Sequence, residues 1–118
     1  MEKRVVITGL GAITPIGKNV DELWDGIKNK KCGIDEITAF DTSNFKTKLA
    51  AEVKGYDTLE HFDAKQAKRF DRSSQFAIIA AREAVKMSGI TKENTNYDRV
   101  RSFCKHWNWW DKDFPRTK

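Results

Sequence analysis

Cysteine and histidine are scarce in this chain, with two of each in 118 residues. Two thiols, Cys32 and Cys104, do not make the disulfide framework of a small secreted domain, nor do they supply a structural zinc site. No apolar run approaches the roughly 20 residues that a membrane-spanning helix needs. The start, MEKRVVITGLGAITPIG, is basic and then apolar, but it lacks an A-x-A-like cleavage site. Its glycines and Pro15 suit a strand and turn better than a signal helix. A cytoplasmic chain is therefore expected. One-sided charge is also missing from most of the sequence. The formal net charge is +5, yet residues 101–118 hold five basic residues against two acidic ones, leaving +2 for the first hundred. That balance gives the body no footprint for nucleic acid. With 39% hydrophobic and 33% charged residues, the composition is that of a folded chain, and the length allows one small domain or a piece of a larger one.

Along the chain, Val5-Val6-Ile7-Thr8 is a β-branched run apolar on both faces, as in a buried parallel strand, and it opens into a turn at Gly9 and Gly11. Asn19 or Asp21 is placed to cap a short helix, VDELWDGIKN, with Val20, Leu23, Trp24 and Ile27 on one face. A long loop follows, with a short strand expected near Ala50 to Val53. DAKQAKRF predicts a short basic helix. DRSSQFAIIAAREAVKMSGI predicts a long one, capped by Asp71 or Ser73 and stopped by Gly89. Its apolar residues cover most of the circumference, which predicts burial in a larger assembly. A loop then leads to a strand beginning at Val100. This rhythm is that of an α/β fold.

Three clusters could carry chemistry. Gly9-Leu10-Gly11 begins like a dinucleotide fingerprint, but Thr14 stands where a third small residue is wanted, and a structural turn is the plainer reading. Cys32, in NKKCGID, has lysines beside it that favour thiolate. A nucleophile also needs a base, and the body offers only His61. A loop cysteine and a surface or structural histidine are the plainer readings. Lys65, Lys68 and Arg69 make the third cluster, with Lys65, Lys68 and Arg72 at helical spacing. Such a run is usually a solvated face; its functional reading is a docking edge for an acidic partner.

The segment RVVITGLGAITPIGKNVDELWDGIKNKKCGIDEITAFDTSNFKTKLAAEV, continued by KQAKRFDRSSQFAIIAAREAV, resembles the start of the bacterial beta-ketoacyl-acyl-carrier-protein synthase II family, condensing enzymes of fatty-acid elongation. The resemblance runs from Lys3 to Val100. It implies a thiolase-like fold, two similar α/β halves layered αβαβα, of which residues 1–100 are an incomplete part of the first half. It also implies a homodimer, acyl carrier protein as partner, no cofactor, no metal, and no nucleic-acid or membrane partner. In the family an acyl chain passes to a cysteine at a helix start, where thiolate is favoured. Decarboxylation of the malonyl carrier then supplies the attacking carbanion, and two histidines stabilise the developing oxyanion. Cys32, Cys104, His61 and His106 match none of these three residues. No catalytic residue is therefore assigned here, and the chain as written is expected to be inactive. Lys65, Lys68 and Arg69 do match a basic surface that meets the acidic acyl carrier protein.

Beyond Val100 the resemblance stops. The family continues with a strand and a G-[ST]-G-I-G-G turn, where this chain has RSFCKHWNWWDKDFPRTK. Three of its four tryptophans fall in KHWNWWDKDF, and Trp has the single codon UGG. Read one nucleotide later, Lys105 to Phe114 permits S-T-G-I-G-G-I-K-T-F, and the tryptophan codons force its three glycines. Residues 101–118 are accordingly expected to be an out-of-frame tail. The alternative is a small basic binding module whose tryptophans stack on nucleic-acid bases or lie at a membrane surface. A nucleotide site at Gly9 and Gly11 is the third possibility.

Overall fold

The computed structural model describes residues 4–101. Expectations placed on the Trp-rich stretch, Cys104 and His106 lie outside the described residues. The elements are α1 (Val20–Lys28), β1 (Ile34–Glu36), β2 (Leu49–Ala51), a 3-10 turn (Thr58–Glu60), α2 (Ala64–Arg69), α3 (Arg72–Ser88) and a second 3-10 turn (Tyr97–Arg99).

Helix ends fall where capping chemistry puts them. Asn19 Oδ1 accepts from the Glu22 N–H at 2.8 Å, while Glu22 Oε2 accepts from the Lys18 N–H at 2.8 Å. That is a capping-box pattern displaced by one residue, and it satisfies two donors at the start of α1. Asp63 accepts from the N–H groups of Lys65 and Gln66, starting α2, and Asp71 caps α3 through the Ser74 N–H. Gly89 ends α3 at φ 68°, a left-handed conformation that a residue without Cβ takes at no steric cost.

Residues 5–8 differ from the expected buried strand. They are not assigned to a strand, and Val5 and Ile7 are 91% and 83% exposed. A strand exists only with a neighbour to take its N–H and C=O groups. The two-stranded sheet among the described residues does not include this segment. The chain lies instead along α3: the Leu10 N–H points at Met87 Sδ at 3.3 Å, and Glu83 accepts from the Ala12 N–H at 2.9 Å and the Val20 N–H at 2.8 Å. Thr14 and Gly17 then exchange backbone hydrogen bonds around Pro15 and Ile16, a tight turn that delivers the chain to α1.

The expected strand near Ala50 begins one residue earlier, at Leu49, and pairs antiparallel with β1, which lies in a stretch expected to be loop. Ile34 faces Ala51 and Glu36 faces Leu49. β1 reads as loop in sequence because Ile-Asp-Glu carries little strand propensity; the pairing with β2 creates it. The strand expected from Val100 lies almost wholly outside the described residues, of which Val100 and Arg101 follow the second 3-10 turn.

Burial is thin. Among the described residues Gly17, Gly26, Phe62 and Gln75 are buried, and α3 is half-buried along its middle with Val85 and Met87 exposed. Trp24 and Ile27 on the apolar face of α1 are exposed as well. Both faces are those of helices meant to pack on more protein than these residues supply. No helix among the described residues is long and apolar enough to cross a membrane.

Candidate functional site

Lys65, Lys68 and Arg69 lie on α2, a helix of six residues without an acidic side chain in its first turn. Spacing of i, i+3 and i+4 puts all three on one face, and all three are exposed. The ion pairs found among the described residues, Lys28 with Asp25 and Lys54 with Asp35, leave these three cations without a carboxylate. Lys68 and Arg69 occupy the last turn, where cations suit the negative end of the helix dipole.

Arg72 does not join them. Phe70 leaves α2 in extended conformation at φ −99° and ψ 133°, so Arg72 begins a different helix. Its Nη2 donates to the Val53 carbonyl at 2.6 Å, and its guanidinium lies 5.6 Å from the Tyr56 ring centre and 5.4 Å from that of Phe76. Helical spacing across a helix break misled the sequence reading.

The remaining candidates stay apart. Cys32 is exposed and directs its Sγ to the Ile34 carbonyl at 3.8 Å. It lines an open groove of about 320 Å³ with Lys18, Lys31, Asp35, Glu52 and Lys54. The charges there are largely spoken for: Lys54 bonds Asp35 at 2.5 Å and Lys18 bonds the Gly55 carbonyl at 2.5 Å. The Lys54 ammonium holds the Asp35 carboxyl below its ordinary value, and the backbone N–H of Thr38 does the same for Glu52. His61 is not among the groove's lining; its ring stacks 5.9 Å from Tyr56. A thiol without its base cannot act as an activated nucleophile.

Gly9 and Gly11 are explained by packing. A β-carbon at Gly9 would lie 2.0 Å from the Ala84 carbonyl oxygen, and one at Gly11 would lie 1.8 Å from that of Ala80. The space a dinucleotide fingerprint keeps for a pyrophosphate is filled by α3, and a turn rather than a helix follows.

Sequence reading overlooked Gln75, which is 5% exposed. Its Nε2 donates to the carbonyls of Phe70 at 2.9 Å and Ala67 at 3.3 Å, and its Oε1 accepts from Tyr56 Oη at 2.7 Å and Thr58 Oγ1 at 3.1 Å. A polar residue directly preceding the apolar run FAIIAA was the available signal.

The family model for the beta-ketoacyl synthase N-terminal domain matches residues 2–105. The 3-oxoacyl-[acyl-carrier-protein] synthase 2 of Staphylococcus aureus (strain N315) is 45% identical over 98 residues, covering 83% of this chain and 24% of that protein. The protein of the same description from Synechocystis sp. is 40% identical over 99 residues, covering 84% and 24%. Among solved structures, the ishigamide ketosynthase/chain length factor superposes with a TM-score of 0.64 at 34% identity, covering 75% of this chain and 22% of that one. The chain thus spans about a quarter of the length of the curated relatives it matches. Its α/β elements are part of the thiolase-like fold of ketosynthases, and the chain belongs to the beta-ketoacyl synthase family through that family's N-terminal domain.

Proposed function

We propose that residues 1–100 are the N-terminal portion of a 3-oxoacyl-[acyl-carrier-protein] synthase, a cytoplasmic, homodimeric condensing enzyme of fatty-acid elongation, and that α2 is its docking edge for acyl carrier protein. The observation that carries the docking reading is the set of three exposed cations, Lys65, Lys68 and Arg69, on one face and without ion-pair partners among the described residues. An acidic carrier meeting such a face gains orientation and encounter rate from the charges. The similarity to 3-oxoacyl-[acyl-carrier-protein] synthase 2 of Staphylococcus aureus supports the same partner.

The polypeptide as written carries no condensing activity on this reading. No histidine lines the groove beside Cys32 among the described residues, and the resemblance matches neither Cys32 nor His61 to the cysteine and two histidines of the condensing reaction. Residues 101–118 are a glycine-rich turn translated out of frame, a reading supported by the three tryptophan codons that become glycine codons after a shift of one nucleotide.

The docking reading is tested by binding acyl carrier protein at low salt to the parent chain and to the Lys65→Glu/Lys68→Glu/Arg69→Glu variant. Reversal of all three charges is expected to weaken binding at least about tenfold and to flatten its salt dependence. Affinity unchanged by the reversal overturns the assignment.

A further inference from the structure

Helix α2 has six residues, none of them buried. A helix this short is neither stable nor oriented on its own. The direction in which Lys65, Lys68 and Arg69 point is therefore set by whatever holds the two ends of α2. Two side chains of α3 do so, Gln75 and Arg82, seven positions apart and so on one face of that helix.

At the leading end, Arg82 Nη1 donates to the His61 carbonyl at 3.0 Å, and its guanidinium lies 5.0 Å from the centre of the buried Phe62 ring. Asp63, which caps α2, is the next residue. At the trailing end, Gln75 Nε2 meets the carbonyls of Ala67 and Phe70, which the end of a helix leaves without intrahelical partners. Tyr56 and Thr58 hold the other side of the same amide. All four hydrogen-bonding positions of Gln75 are used, and turning the amide over would set its oxygen against two carbonyls. Its orientation is fixed.

We infer that Gln75 and Arg82 are positioning residues for carrier docking: a two-point clamp from α3 that presents the α2 cations at a set angle. The inference rests on the docking reading of α2 given above. A preorganised charged face loses little further freedom when its partner arrives, so the clamp contributes to affinity without touching the partner. Gln75 is uncharged and buried, which separates its effect from that of the charges themselves.

The test combines amide hydrogen exchange and carrier-protein binding on the full 118-residue chain. Gln75→Leu keeps every charge while leaving the two carbonyls unmet. It is expected to speed exchange across residues 64–70 about tenfold, to leave residues 78–86 of α3 within about twofold, and to weaken carrier binding about tenfold. Arg82→Leu, at an exposed position, is expected to loosen residues 61–65 while Arg82→Lys restores part of the protection. Equal loosening of α2 and α3 in Gln75→Leu marks a general structural role and overturns the clamp. So does unchanged exchange in α2, or an α2 already unprotected in the parent chain. If instead the parent fails to bind carrier, or binds it equally well after reversal of Lys65, Lys68 and Arg69, the docking reading fails while the exchange data still decide the clamp.

Discussion

Gly11 and Ala80 are in backbone contact: a β-carbon at Gly11 would lie 1.8 Å from the Ala80 carbonyl oxygen. With Gly9 over Ala84 one turn further along α3, the G-L-G stretch lays an extended segment directly on a helix backbone. Alanine at position 80 keeps the helix side of this contact low as well.

Gly11→Ala is therefore expected to push the N-terminal segment off α3 and to destabilise the chain by about 1–3 kcal/mol, the usual cost of overpacking. Urea unfolding of the two proteins side by side checks it. A midpoint unchanged by the extra methyl would show that the segment does not rest on α3.

Glu83 holds the same segment from the side, one oxygen on the Ala12 N–H and the other on the Val20 N–H. Glu83→Gln retains the shape but leaves a single oxygen for two donors. A loss of about 1–2 kcal/mol is expected, since hydrogen bonds to a charged acceptor are among the stronger ones. Exchange of the Ala12 and Val20 amides should speed up together; unaltered rates at both would exclude the bridge.

The hairpin should respond to acid. Asp35 and Glu52 have carboxyls held below their ordinary values of 3.8 and 4.5 by Lys54 and by Thr38 respectively. A lowered folded value means stability that is present above the ordinary value and lost as pH falls through the folded one. Protection of residues 34–36 and 49–51 is expected to hold from neutrality down to about pH 5 and to fall below about pH 4. Both groups are on the surface, so the effect is modest and screened by salt. Loosening on going from pH 5 to pH 8 would contradict the assignment.

The gene decides the tail. Sequencing across and beyond the Val100 codon is expected to find the shifted frame open and encoding the glycine turn, followed by a cysteine and two histidines. The product of that restored frame should form ketoacyl product from acyl and malonyl carrier substrates, whereas the pure 118-residue chain should form none. Turnover by the 118-residue chain would refute its proposed inactivity. A shifted frame that closes at once would make the tail genuine sequence, and deletion of residues 101–118 should then abolish binding to nucleic acid or lipid.

Short-range chemistry was legible in the residues themselves. Asn19, Asp71 and Gly89 bound their helices because a cap acts within one turn. The basic helix at residues 64–69 and the turn around Pro15 rest on equally local rules. The family was legible too, since its motifs are contiguous in sequence. What only the tertiary structure decided depends on partners distant along the chain. Val5 to Thr8 has strand composition but no strand neighbour among the described residues, and Ile34 to Glu36 is a strand through its pairing with Leu49 to Ala51. Arg72 has the spacing of a docking residue yet is drawn to Val53, Tyr56 and Phe76 across a break that periodicity does not register. Gln75 reads as the last of the polar residues that open α3 until folding brings Tyr56, Thr58, Ala67 and Phe70 around it. Caps and turns are satisfied by groups a few bonds away, whereas an extended segment, a clamp or a buried amide takes its role from atoms that only packing brings within reach.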